Sequence, residues 1–195
     1  MTIEQYNNRT IKHRGFSLVE LLVSVAIITV ISGATLVYFR GGNKNWALTR
    51  TAQRVSQEIR RASNMALSSP GYTCPESAAI DGYGICFSSG GPGADFCAND
   101  SDASNASYIL FADCDGNNAY GGTGVDVKIE TISVESGVKV KTVIPVYSFS
   151  VVFVPPDPTT NFSSGTSGTI TLSLTTDEST TKQLTINSKG NIDIQ

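Results

Sequence analysis

Four cysteines and a few clustered carboxylates are the residues whose types and spacing could carry chemistry. Cys74, Cys86, Cys97 and Cys114 follow one another in a single stretch. No pair is spaced C-x-x-C, which argues against a zinc ribbon or a thioredoxin-like redox site. The single histidine, His13, precedes a long apolar run, so no Cys/His catalytic pair can form in a body folded beyond that run. An even number of cysteines beyond an apolar segment reads as two disulfides in an oxidising compartment. Three pairings are open. The local one, Cys74–Cys86 with Cys97–Cys114, is favoured because it closes polar loops that pack weakly on their own. The nested one, Cys74–Cys114 with Cys86–Cys97, is the main alternative, and Cys86–Cys114 with Cys74–Cys97 is the third.

The carboxylates gather at Asp113-x-Asp115-Gly116-Asn117, with Asp126 further on. Oxygen ligands at this density could hold calcium, which makes Asp113, Asp115 and Asn117 candidate ligands. The order fails the EF-hand pattern, since the glycine comes too early and no Glu closes the loop. Asp-Gly-Asn between strands is first of all a turn. Asp95, Asp100 and Asp102 sit in a Gly/Asn-rich loop and read as solvated. No nucleophile elbow, phosphate loop or zinc motif occurs. The residues therefore imply no enzyme, no catalytic group and no cofactor.

The elements that must position these groups begin with the apolar run Phe16–Phe39, whose one charged residue is Glu20. As a helix it would span about 36 Å, enough for a hydrocarbon core about 30 Å thick. Arg9, Lys12 and Arg14 precede it, which by the positive-inside rule places the N-terminus in the cytoplasm and the body outside. Glu20 is the anomaly, because a carboxylate in an apolar helix is costly without a cationic partner and the run has no Lys or Arg. An ordinary single-span anchor leaves Glu20 unexplained. A conventional secretory signal cut after Ser32-Gly33-Ala34, releasing a domain from Thr35, places a charge inside its apolar region.

The stretch Arg14-Gly15-Phe16-Ser17-Leu18-Val19-Glu20-Leu21-Leu22 resembles the signal of type IV pilins and pseudopilins: a short basic leader ending in Gly, then Phe, then an acid five residues into the mature chain. The resemblance implies that a prepilin peptidase cuts between Gly15 and Phe16 on the cytoplasmic side and N-methylates Phe16. It implies that the apolar helix is kept, first as a membrane anchor and then as filament core. It also implies that Glu20 pairs with the N-terminal amine of a neighbouring subunit. A pair between Glu20 and its own amine, one helical turn away, is the alternative. The expected partners are other pilins through this helix, the prepilin peptidase and the inner-membrane assembly platform. The expected location is a single pass in the inner membrane, followed by a pilus or pseudopilus.

The expected division is a leader over 1–15, a transmembrane or filament-core helix over 16–39, an amphipathic helix over 40–69 and a β-rich extracytoplasmic head over 70–195. Leu48, Ala52, Val55, Ile59, Ala62 and Ala66 recur at alternating spacings of four and three, one apolar stripe at helical period. Gly41, Gly42 and Asn43 interrupt the pattern ahead of it. Ser68-Ser69-Pro70-Gly71 ends it. Strands are predicted at Tyr83–Phe87, Ser107–Ala112, Asp126–Ser133, Val138–Ile144, Tyr147–Val154, Gly168–Thr175, Lys182–Asn187 and Asn191–Ile194. A helix followed by many short strands gives an α+β class, with antiparallel sheet packed on the amphipathic half of the helix, as in the pilin fold.

Several head segments resemble the GspH/FimT group of minor pilins and pseudopilins: Asp81-Gly82-Tyr83-Gly84, Ile109–Asp113 leading into Asp115-Gly116-Asn117, Gly168–Leu172, and Leu184–Ile192. The resemblance implies a minor subunit of a type IV pilus or of a type II secretion pseudopilus. A head that binds DNA or a surface ligand, and a calcium-stabilised pseudopilin, are the alternatives. Charge argues against nucleic acid as a partner. Removing the leader takes away three of the 14 basic and one of the 17 acidic residues, leaving 11 against 16. Lys128, Lys139 and Lys141 could form a small basic patch, though a solvated strand face is the first reading of them.

Overall fold

The computed structural model describes residues 16–75, 79–90, 97 and 105–195, with side chains described outside 36–44. The leader residues Arg9, Lys12, His13, Arg14 and Gly15 and the loop acids Asp95, Asp100 and Asp102 lie outside the described residues. The chain forms two units, Met1–Gly41 and Gly42–Gln195. The class is α+β. Helix α1 (Leu18–Ser68) supplies the described part of the first unit and opens the second. Its backbone stays helical through Gly41, Gly42 and Asn43, where the sequence predicts an interruption. Glycine inside a helix costs only about 1 kcal/mol per residue, which flanking helical turns can offset.

In the second unit the stripe Leu48, Ala52, Val55, Ile59, Ala62 and Ala66 is buried. Small alanines at three of these positions let strands approach the helix closely, while Leu48, Val55 and Ile59 fill the space between. Two antiparallel sheets share this core. The first has the order β3-β2-β1-β5-β6 and the second β4-β7-β8-β9. The strands are β1 (Gly82–Ser88), β2 (Ser107–Asp113), β3 (Val127–Ser133), β4 (Val138–Ile144), β5 (Ser148–Val154), β6 (Thr159–Phe162), β7 (Ser167–Leu174), β8 (Thr181–Asn187) and β9 (Ile192–Ile194). Strand alternation explains the shared core: Tyr83, Ile85 and Phe87 of β1, Leu110 of β2, Phe149 and Val151 of β5, and Ile170 and Leu172 of β7 all join the helix stripe.

The first sheet is covered on both faces. Its outer face carries a second apolar cluster of Cys86, Cys97, Ile109, Phe111, Tyr120 and Val152. That is why β1 and β2 are buried at every position rather than at alternate ones. Rings stack across the core, with Phe149 between Phe87 and Phe162. Arg61 reaches from α1 to Glu130 on β3 at 2.8 Å while holding Glu58 at 3.1 Å.

The strand positions follow the sequence prediction closely, with one exception. Strand β6 lies just beyond Pro155-Pro156-Asp157-Pro158 and pairs with β5, Val154 opposite Thr159 and Val151 opposite Phe162. Its residues are polar apart from Phe162, so alternation gives no signal there. The division of the strands into two sheets is also absent from the sequence pattern, because β4 and β5 are consecutive yet belong to different sheets.

Candidate functional site

The features that could carry function fall in separate places. In the first unit, the window Leu18–Thr35 is long and apolar enough to cross a membrane, and none of it is buried within the molecule. Phe16 is 76% exposed and Leu18 79%. A soluble protein cannot leave such a face in water, since each fully exposed Leu or Ile forgoes about 1.5–3 kcal/mol. Glu20 stands in the first turn of α1, where a carboxylate also complements the helix dipole. Ser17 lies three residues earlier, and its carbonyl accepts the first helical bond from Leu21. Ser-x-x-Glu is the spacing of a capping box, so Glu20 has a local role available besides a partner on another subunit.

The cysteines form two disulfides, Cys74–Cys114 and Cys86–Cys97. This is the nested pairing, and it corrects the favoured local one, Cys74–Cys86 with Cys97–Cys114. The reason is the pleat of β1. Cys86 alternates with Ile85 and Phe87, so it points to the outer face, opposite Ile109 of β2 and beside Cys97. Cys74 follows α1 and meets Cys114, one residue past the end of β2. Loop length alone does not see which face a strand residue occupies.

Asp113, Asp115 and Asp126 do converge, with a ligand atom of each within 4.8 Å of the others. All six of their carboxylate oxygens already accept N–H hydrogens. Asp113 takes the amides of Gly116 and Asn118, both at 2.9 Å. Asp126 takes those of Cys114 and Gly121 at 2.9 and 2.6 Å. Asp115 takes the amide and the side-chain Nδ2 of Asn117 at 3.2 and 2.6 Å. The Oδ1 of Asn117 is itself turned to the amide of Ala119. Calcium needs six to eight oxygen ligands. Here the three carboxylates form a compact set that is engaged by amide donors. It organises the loop from Cys114 to Asp126 that covers the outer face of the first sheet, and Asn118 takes a positive φ of 61° within it. Burial pushes the Asp113 carboxyl up to about 6, against the pull of the Asn118 amide. Burial also raises Asp126, opposed by the amides of Gly121 and Cys114.

The basic residues are distributed between sheets. Lys128 stands on β3 of the first sheet, Lys139 and Lys141 on β4 of the second. Lys139 is ion-paired with Glu178, and Lys141 Nζ donates to the Glu178 carbonyl oxygen at 2.9 Å. An exposed apolar turn, Ile144 to Tyr147, follows β4 and borders a shallow hollow of about 310 Å³ that Lys141 and Ser89 also line. On α1, Trp46 is 67% exposed. Sequence reading does not single it out. Its signal is its position off the apolar stripe, in a helix whose other large apolar residues from Leu48 to Ile59 are buried.

The chain matches one family model, the prokaryotic N-terminal methylation motif, over residues 11–36. No curated protein and no solved structure gives a significant match to the chain. The motif is a type IV pilin-like signal. It supports a membrane-anchored, pilus- or pseudopilus-related subunit, processed by a prepilin peptidase and assembled with other pilin subunits, and it points to a structural role rather than an enzyme.

Proposed function

We propose that this protein is a minor type IV pilin or pseudopilin with a head of the GspH/FimT kind. The observation that carries the reading is the coincidence of the methylation motif at 11–36 with an unburied membrane-length helix, in a chain whose remainder folds as α+β. In this reading the leader 1–15 is removed between Gly15 and Phe16, and Phe16 is N-methylated. The N-terminus faces the cytoplasm and the head lies outside. The basic leader and the signal type support this orientation. The subunit waits in the inner membrane as a single-pass protein until the assembly platform moves it into a filament.

Cleavage would supply the cation that Glu20 lacks. A carboxylate that must enter an apolar filament core needs a partner, and the amine of a neighbouring Phe16 is the group the signal creates. Two substitutions separate this role from helix capping. Glu20→Gln keeps the capping geometry and loses the charge, while Glu20→Ala loses both. Both variants are expected to be cleaved and membrane-anchored, and both are expected to be depleted from sheared filaments at least about tenfold, the equivalent of about 1.4 kcal/mol. Normal incorporation of Glu20→Gln would remove the charge-pairing role.

A second reading, a head that contacts a surface ligand, is favoured by the exposed turn Ile144–Tyr147 and its hollow. Nucleic acid fits poorly, because Glu178 partners both Lys139 and Lys141 and the head is acidic. Salt-sensitive retention of DNA by the purified protein would reverse that order.

A further inference from the structure

We infer that Trp46, with Arg50 and Arg54, forms a docking face for anionic phospholipid headgroups that seats the start of the head on the outer leaflet of the membrane before assembly; this rests on the membrane-anchored reading above. Helix geometry places the three together. Arg50 and Arg54 follow Trp46 by one and two turns, and all three are exposed. They lie on the face away from Leu48, Ala52, Val55 and Ile59, which are buried against the sheets. Trp46 is two-thirds exposed among the described residues, on the polar face of a stretch whose other large apolar side chains are buried.

Charge says what covers it. From Glu20 to Glu58 the chain contains no acid between the two, but carries Arg40, Lys44, Arg50 and Arg54. The leader bases and these four leave seven of the 14 basic residues for the rest of the head. Glu4 and Glu20 set aside, fifteen of the 17 acids remain there. The head is therefore strongly acidic except at its beginning, which is wholly basic. In the proposed orientation the segment lies on the side where basic flanks are not required for topology. Each Lys or Arg near an anionic bilayer surface is worth about 1 kcal/mol, close to a fivefold change in occupancy. Tryptophan is the side chain best suited to the headgroup layer, with an apolar ring system and one N–H donor.

By chain position these residues belong at that depth. The apolar run ends at Phe39 and Trp46 follows it by seven residues in the chain, close enough in sequence to reach the interfacial layer that borders a hydrocarbon core. Arg50 holds Glu135 at 3.1 Å, yet remains 64% exposed. A surface pair of this kind leaves the rest of the guanidinium open to a phosphate.

Trp46 is the only tryptophan in the chain, so it reports on itself. The test uses the full chain in nanodiscs of phosphatidylcholine alone, or of phosphatidylcholine mixed equally with phosphatidylglycerol, each carrying lipids brominated at shallow acyl positions. Retention in the disc through size exclusion is recorded separately, and failure there would count against membrane anchoring itself. With the chain inserted, the expected result is shallow bromine quenching of Trp46 that is stronger in the anionic discs and weakened by salt. Arg50→Gln with Arg54→Gln should lower the docked fraction in anionic discs about 25-fold at low salt, the product of two fivefold steps. Trp46 fluorescence that stays unquenched and open to acrylamide in inserted protein would overturn the inference. So would quenching equal in neutral and anionic discs, or Trp46 protection that arises only when subunits associate.

Discussion

Asp113 shows how a single buried group can be settled by hydrogen bonding and still leave a trace in stability. Its two oxygens accept two backbone amides, which favour the charged form, yet removal from water outweighs them and raises the carboxyl to about 6. The sign of the linkage follows. Between about pH 4, where a carboxyl of the unfolded chain titrates, and about pH 6, the folded protein holds a proton that the unfolded chain has released. The contribution of Asp113 is therefore fully favourable below that window and is lost as pH rises through it. Carbon-13 NMR of the labelled protein should show one aspartate titrating near 6, while Asp177, held by Ser179 and Thr180, titrates near 2. An Asp113 resonance that titrates at the ordinary aspartate value would show that the amides cancel the effect of burial, and one below it that they outweigh it. The sequence makes this loop visible as a turn through Asp115-Gly116-Asn117. It does not reveal that Asp126, thirteen residues beyond Asp113, closes the loop, because that closure depends on where β2 ends and β3 begins.

At the level of elements, the disulfides and the strands divide what is legible from what is not. The helix stripe Leu48–Ala66 follows a periodicity that the sequence states directly, and seven of the longer strands lie where apolar and β-branched runs bounded by turn signals place them. Cys86 and Cys114 belong to the other kind, since their partners depend on which face of β1 is outermost and on the strand order β2-β1-β5. Strand β6 is a third case: Thr159 and Thr160 suit a strand, but no apolar alternation announces it, and it forms where β5 offers an edge. The two disulfides close intervals of 40 and 11 residues. On chain entropy alone, removing Cys74–Cys114 should cost about 4 kcal/mol and removing Cys86–Cys97 about 3 kcal/mol. Double Cys→Ala variants compared by urea unfolding test the order, and non-reducing peptide mapping tests the pairing. Recovery of Cys74–Cys86 and Cys97–Cys114 peptides would contradict the face assignment of β1. Thiols free at all four positions would contradict the proposal that the head is extracytoplasmic.

For the whole molecule, the decisive contrast is between two stretches of one helix. Residues 48–66 bury their apolar stripe in the head, and Leu18–Thr35 buries nothing. The first is satisfied by the strands of its own unit; the second is unsatisfied until a membrane or other helices surround it. That contrast is legible in the sequence, because it rests on composition and helical periodicity rather than on long-range packing. The head is the opposite case, since its resemblances are short turn and strand segments that many β-rich proteins could share. The most direct test of the central claim is the mass of the mature N-terminus, measured on protein extracted from membranes that contain a prepilin peptidase. The expected mass is that of a chain that begins at N-methylated Phe16 and keeps the entire apolar helix. A mature chain that begins at Thr35, or one that retains the leader through Gly15, would contradict it.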